Sequence, residues 1–416
     1  MKRLLAHLKK HKFIHHDWTA AGLRRKALRD VIAILVVAGA NVLVQNLGWY
    51  DRYALIDFDN LARSAQIATG LSPEISIVAI GDADYNDPTL FQGASPLNPA
   101  LVSTIIEGIL QGGPRVLAVD LDTSAWPKTL PRKDWKTPVP IVWSAVPDSN
   151  GNLPQTPGPL SGIPVFQPGL DGRLRTYQRG IAVDPQTPNS RIYPSFASAV
   201  VAAAGPYRAQ SYGTEEQLIG FGIDYHRFRT IPASVFATRQ RLDTRFYQDT
   251  VTGKIVFLGG TYRAGRDWYA TPLGYEPGVE VLAHTAQTEL SAPIRKLDGI
   301  SSFLEDVVMS LIVLGLVFWM GAATQLIGSA VLSLSFAWLL SRFAYHSPGV
   351  FLPVCSVFGG VMVAGLVEFG MTYYELSRDH NRLLHTHRGL TNELTRLKRR
   401  LSAHALAVDS GPESDR

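Results

Sequence analysis

Four stretches of this chain, residues 31–48, 307–323, 325–345 and 349–373, stay apolar over lengths that suit a bilayer crossing, which takes roughly 17 to 25 residues. No other feature restricts the fold as strongly, because lipid admits only helices or closed barrels as spanning structures. Charge sets the direction of crossing. Lys2, Arg3, Lys9, Lys10, Lys12, Arg24, Arg25, Lys26 and Arg29 precede the first stretch against Asp17, a balance of +8 over residues 1–29. The positive-inside rule puts that end in the cytoplasm, so the long segment after the first crossing is exported. Arg378, Arg382, Arg388, Arg396, Lys398, Arg399 and Arg400 follow the fourth stretch and return the C-terminus to the cytoplasm. The two ends agree.

The basic character belongs to those ends, since residues 30–374 carry a net charge of −5 in a chain of net +5. Anionic lipid is the expected partner, at roughly 1 kcal/mol per basic residue near the surface. No nucleic-acid motif accompanies the charge. Ala38, Gly39 and Ala40 have the form of a signal-peptidase site, but a basic leader of about thirty residues is longer than a usual signal peptide, so the span is expected to be retained. The single cysteine, Cys355, excludes a disulfide framework and a cysteine metal cluster. The resulting division is a leader at 1–29, a first transmembrane helix at 30–49, a periplasmic domain at 50–300, three transmembrane helices at 301–374, a cytoplasmic coiled coil at 375–404 and a disordered tail at 405–416.

Within the exported segment, apolar runs alternate with helical patterns. Residues 74–80 (EISIVAI), 115–121, 139–145 and 254–259 (KIVFLG) read as strands. Residues 98–110 read as a helix capped by Asn98 with Pro99 at its first position, and 194–203 and 279–290 as two further helices. Continuous apolar strands between helices predict an α/β domain with a mainly parallel sheet covered by helices on both faces. Ten of the 26 prolines fall between Pro127 and Pro168, which predicts an irregular excursion there. In the tail, Leu376, His380, Leu383, His387, Leu390, Leu394, Leu397 and Leu401 recur at spacings of four and three, the seam of a dimerising coiled coil.

In a parallel sheet ligands bind beyond the carboxyl ends of the strands. Asp82 and Asp84 follow the first strand in GDADY, Asp120 and Asp122 end the second in VLAVDLDTS, and Asp267 lies in TYRAGRDWYATPLG after KIVFLGG. Three strand ends bearing acids predict one acidic rim. Close carboxylates raise each other's pKa unless a cation, an arginine or a basic ligand compensates. The bland alternative is that these acids accept backbone hydrogen bonds and cap helices. The metal, if any, is left open.

Enzymatic readings have less support. VLAVDLDTS resembles the D-x-D-x-T motif of the haloacid dehalogenase phosphatases, with Ser124 in place of Thr and Ser144 in PIVWS as a second motif, but no later paired-Asp motif follows. Ser195 in YPSFAS suits a helix cap, His284 in VEVLAHTA suits packing within a helix, and Gly259-Gly260 lacks the rest of a phosphate loop. No catalytic residue and no cofactor are assigned.

IVAIGDADYNDP with SPLNP, RVLAVDLDTS, DGRLRTYQRG with YPSFASA, and GKIVFLGGTYRAGRDWYATPLGYEPGVEVLAHT occur in the order that resembles the CHASE type-2 family over residues 50–375. The resemblance implies an extracytoplasmic sensory module of a bacterial receptor, with one span before the domain and three after. It adds Arg175, in DGRLRTYQRG, to Asp82, Asp84, Asp120, Asp122 and Asp267 as candidate ligand-binding residues. Family members usually feed a kinase or nucleotide cyclase, whereas only some forty residues follow Tyr374 here, short of a catalytic domain. The expectation is a multi-pass inner-membrane receptor, a homodimer or larger oligomer. It would bind an extracytoplasmic ligand or protein and signal to a separate cytoplasmic partner. A scaffold subunit of an envelope complex and a periplasmic enzyme are the alternatives.

Overall fold

A computed structural model of the chain describes residues 48–65, 70–126, 137–148, 151–183, 191–205, 212–221, 227–238, 242–291, 294–296, 322–346 and 349–353, with short helical positions at 32, 35, 39, 303–304, 307–308, 373–374, 377–378, 391 and 394–395. By its internal contacts the chain divides into two units. One comprises Met1–Asn46, Ser301–Phe336 and Ser356–Arg416, and its described positions are helical. Among the described residues no helix is long and apolar enough to cross a membrane. The third apolar stretch lies in a single helix, while the other three fall mostly outside the described residues. Of the tail seam, Leu394 occupies an exposed helical position; Leu376, Leu383, Leu390, Leu397 and Leu401 lie outside the described residues.

The other unit, Leu47–Ile300 with Ala337–Cys355, is the α/β domain. It opens with α1 (Gly48–Ala65), β1 (Leu71–Ile80), α2 (Asp82–Asn86), α3 (Pro99–Leu110), β2 (Val116–Asp120), β3 (Ile141–Ser144) and β4 (Leu160–Gly162). Short strands β5 (Thr176–Gln178), β6 (Gly180–Ala182) and β7 (Ile192–Pro194) lead to α4 (Phe196–Ala203), β8 (Glu216–Leu218), β9 (Arg227–Pro232), α5 (Ser234–Ala237) and α6 (Thr244–Thr250). The remainder is β10 (Ile255–Gly260), a hairpin of β11 (Trp268–Thr271) and β12 (Gly274–Pro277), α7 (Gly278–Ser291), β13 (Arg295–Lys296), α8 (Ala322–His346) and β14 (Val350–Phe351).

Six strands form one sheet in the order β4-β3-β2-β10-β1-β9, and every pair in it is parallel. The apolar strands alternate their side chains between two cores, as the pleat requires. Val78, Ile80, Leu117, Val119, Val256 and Leu258 face α3, α5 and α6, whereas Ile75, Ile77, Val116, Ala118, Ile255 and Phe257 face α4 and α7. A sheet buried on both faces needs apolar residues at every position, which is why EISIVAI and KIVFLG show no polar alternation.

The three helices read at 98–110, 194–203 and 279–290 form as α3, α4 and α7, while α1, α2, α5 and α6 are not indicated by the sequence. Asn98 accepts the Ala100 N–H at 3.0 Å, Pro99 occupies the first turn, and Val102, Ile105, Ile106 and Ile109 form the buried stripe of α3. That stripe approaches its neighbours closely: a Cβ at Gly108 would collide with the Phe236 carbonyl, and one at Gly112 with Tyr247 and Val251. Ser195 caps α4 by accepting the Ser198 N–H. His284 is packed in α7 between Phe221 and Phe228.

α1 is fixed to the domain at several points. Phe58 is fully buried and meets Tyr345 edge-on at 5.9 Å and Phe351 at 5.4 Å. The Tyr345 hydroxyl donates to the Phe221 carbonyl at 2.9 Å, and β14 pairs in parallel with β13. The end of α8 and the strand after it therefore belong to the same unit as the sheet.

Candidate functional site

Beyond the carboxyl ends of β2, β3 and β10 lies a cleft of about 640 Å³. Its walls are the loops that follow those strands, the loop after β1, the 3-10 turn Arg263–Gly265, the start of the β11–β12 hairpin and the first turns of α7. The connection after β1 leaves through α3 on one face and that after β10 through α7 on the other. Such a divergence opens a crevice at the strand ends of a doubly covered sheet.

Asp120, the last residue of β2, is half-buried at the floor of the cleft. The Ser144 hydroxyl at the end of β3 reaches both Asp120 and the Leu121 carbonyl, the latter at 3.1 Å. Asp267 stands on the opposite wall. Arg266 before it adopts a left-handed conformation, φ 55°, which is unusual for a residue with a Cβ and turns the chain into the cleft. The Asp267 carbonyl accepts the Gly278 N–H at 2.9 Å, closing the base of the hairpin, and its carboxylate rests against the Gly278 Cα at the start of α7. The Tyr269 hydroxyl hydrogen-bonds the same carboxylate.

Burial pushes the Asp120 carboxyl up to about 7, and the charge of Asp267 adds to the effect. Asp267 reaches solvent, yet the surrounding hairpin and α7 still raise its pKa, against the Tyr269 hydrogen bond. Tyr269 is pushed up to about 12 by burial and by both carboxylates. Tyr262, stacked on Tyr85 at 4.2 Å, is raised by burial and by the charge of Asp267. Among the residues lining the cleft there is no Lys, Arg or His, so Asp120, Asp122 and Asp267 share it without a cationic side chain in its lining. No group of three or more His, Cys, Asp or Glu among the described residues could hold a metal ion.

The structure brings Asp120, Asp122 and Asp267 to one cleft and places the other candidates elsewhere. Asp122 is exposed and also accepts the Ser124 N–H at 2.9 Å. Asp82 accepts the Arg263 N–H at 2.9 Å, and buried Asp84 accepts the Ala233 N–H at 3.0 Å, so both tie neighbouring loops to the end of β1. Arg175 is buried between Asp59 of α1 and Asp171. Residues the acid pattern did not single out, Tyr262, Tyr269 and Phe166, complete the walls. The aromatic flanks of Asp267 in TYRAGRDWY are the one sequence signal that could have found two of them.

The Gly278 contact gives a direct test of the arrangement. A Cβ at this position would displace the Asp267 carboxylate. Gly278→Ala is expected to cost about 1 kcal/mol, the low end for overpacking because an exposed side chain can yield. It should also weaken the pH dependence of the thermal midpoint, since Asp120 loses its charged neighbour. A pH dependence equal to that of the wild type would contradict this placement of Asp267.

A wholly parallel sheet with a strand-end cleft and a hairpin wall defines the class: a doubly covered α/β domain set between apolar segments. A family model described as CHASE2 domain matches residues 31–323, and the chain belongs to that family of extracytoplasmic sensory domains. No curated protein and no solved structure matches the chain.

Proposed function

We propose that this protein is an inner-membrane receptor whose exported domain binds a small ligand in the strand-end cleft and conveys its occupancy through the membrane helices to a separate cytoplasmic partner. The observation that carries this reading is the attachment of the cleft wall to α1. The Arg63 Nε donates to the Pro272 carbonyl in the hairpin turn at 2.9 Å, and α1 follows directly on the first apolar stretch. A ligand that contacts the hairpin therefore has a mechanical route toward the membrane, and a domain with two arrangements of unequal ligand affinity can signal.

The topology is supported by contacts within the domain. Tyr345, Val350 and Phe351, at the end of the third apolar stretch and the start of the fourth, pack on the same unit as α1. Four crossings with both termini in the cytoplasm put the α1 end, the domain and this connection on one side. The lining also bears on ligand type. Three carboxylates, two tyrosines and no cationic side chain favour a cationic or neutral ligand and oppose a phosphoester, which supports a sensory rather than a phosphatase role.

The test is accessibility followed by partner capture. In a Cys355→Ser background, Leu170→Cys, a position 96 % exposed, should react with a bulky impermeant maleimide in intact spheroplasts. Protection until lysis would end the receptor reading. Crosslinking in native membranes should capture a cytoplasmic partner with the full chain and lose it when residues 376–404 are removed. Retention of the partner without that segment would assign the coil no part in signalling.

A further inference from the structure

The β11–β12 hairpin is the bridge between the cleft and α1. At its base are Asp267 and Gly278, joined by the 2.9 Å backbone bond. In its middle, the Ala270 carbonyl accepts the Leu174 N–H at 2.7 Å, next to the parallel bridge between Arg173 and Ala270. At its turn, the Pro272 carbonyl holds Arg63. The segment engaged by Ala270 carries Arg173 and Arg175, and both grip Asp59 on α1, at 2.5 Å and 2.7 Å. Two separate connections thus run from one ten-residue hairpin to the same helix.

The groups facing Asp120 can be named element by element. Asp267 and Tyr269 come from the hairpin side, Tyr262 from the loop after β10, Asp122 from the loop after β2, and the Ser144 hydroxyl from β3. Glu280 and His284 of α7 face Glu276 on β12 instead. No lining group is cationic, so nothing fixed offsets the second negative charge once both carboxyls ionise.

We propose that the Asp120–Asp267 pair makes this domain a proton-operated switch in which the β11–β12 hairpin is the moving part and the Arg63 and Asp59 contacts carry its motion to α1. The proposal rests on the sensory reading and supplies its regulation. With Asp120 protonated, Asp267 carries the only charge of the pair and the base of the hairpin keeps its place at the start of α7. With both ionised, repulsion drives Asp267 and the hairpin base away from β2, and α1 follows through its two attachments. Burial raises the Asp120 pKa toward neutrality, which puts the transition in a range that an envelope compartment experiences. A cationic ligand between the carboxylates would act like the proton and restore the closed arrangement.

The switch is tested on the full chain in lipid nanodiscs, in a Cys355→Ser background, with spin labels in two pairs. One pair reports the hairpin against the far end of α3 (Tyr275→Cys with Gln111→Cys), and the other reports α1 against the same reference (Asn60→Cys with Gln111→Cys). All three labelled positions are exposed. Between about pH 5.5 and about pH 8.5 both distances should shift by about 1–2 Å, the scale on which packed elements carry signals. The isosteric variant Asp120→Asn should abolish both shifts. Arg63→Gln combined with Asp59→Ala and Arg175→Met, which removes both attachments, should keep the hairpin shift and lose the one at α1. A hairpin distance that ignores pH in the wild type, or still shifts in Asp120→Asn, overturns the switch. If Leu170→Cys nevertheless labels from outside in spheroplasts and the cytoplasmic partner is captured, the sensory reading survives that failure.

Discussion

Asp59→Ala is expected to lower the stability of the domain by about 3–5 kcal/mol, the usual loss when one member of a buried ion pair is removed. The size follows from what stays behind. Arg175 is 3 % exposed and Asp59 2 % exposed. Arg175 donates Nε to one Asp59 oxygen at 2.7 Å and Nη2 to the other at 2.9 Å, a bidentate grip that leaves little strain. Without Asp59 the buried guanidinium keeps only Asp171, which is half exposed. Arg175→Met added to Asp59→Ala should recover most of the loss, because the orphaned charge goes with it. Chemical denaturation of the full chain in detergent measures the loss. Limited proteolysis should show α1 cut faster in Asp59→Ala. A loss below about 1 kcal/mol would mean that α1 is held by the Phe58 packing instead.

The same clamp has an acid limit. The Arg175 hydrogen bonds hold Asp171 down at about 2, so its contribution is complete above the ordinary carboxylate pKa near 4 and fades as pH falls toward 2.

How much of this is legible in the sequence depends on whether the determining partner is near along the chain. EISIVAI, VLAVD and KIVFLG declare buried parallel strands because both faces are covered, and Asn98-Pro99 declares a helix start because its cap acts within two residues. The hairpin was not legible. WYATPLGYEP has no alternation between polar and apolar residues, and its turn depends on Gly274 at φ 131°, so it passes for a loop. β9, RFRTIP, is an edge strand with polar residues facing solvent, and nothing local distinguishes it from the irregular chain around it.

The candidate acids show the same limit. Asp82, Asp84 and Asp120 all follow apolar strands, yet the first two sit in the single turn of α2 and bend back to backbone amides, while Asp120 ends a central strand with its side chain in the cleft. Arg175 enters as a ligand candidate through the resemblance of DGRLRTYQRG, and its partner Asp59 lies 116 positions away, so nothing local marks it as half of a clamp. Long-range electrostatics, unlike strand periodicity, leaves no local pattern.

Asp120→Asn should act in the opposite direction from Asp59→Ala and stabilise the protein, but only at neutral and alkaline pH. An unfolded chain ionises this carboxyl near pH 4, whereas the folded domain holds its proton up to about 7. Between those values the folded state binds the extra proton, so stability falls as pH rises through that window and is level above it. The ceiling on the penalty is about 4 kcal/mol for a three-unit shift. The cleft is open to water on one side, so solvent screening brings the expected gain to about 1–2 kcal/mol. For a domain of this size that corresponds to a rise of roughly 2–8 °C in the melting temperature at pH 8. At pH 4 the two proteins should melt together, since Asp120 is then protonated and differs little from Asn. Asp267→Asn should give a smaller gain, because it removes the neighbouring charge and leaves the burial of Asp120, which is the larger cause, in place. Melting curves recorded from pH 4 to pH 8 decide the matter. A constant difference between wild type and Asp120→Asn across that range would mean that Asp120 is solvated like any surface acid, and the carboxyl pair would then have no special chemistry to offer a ligand or a proton.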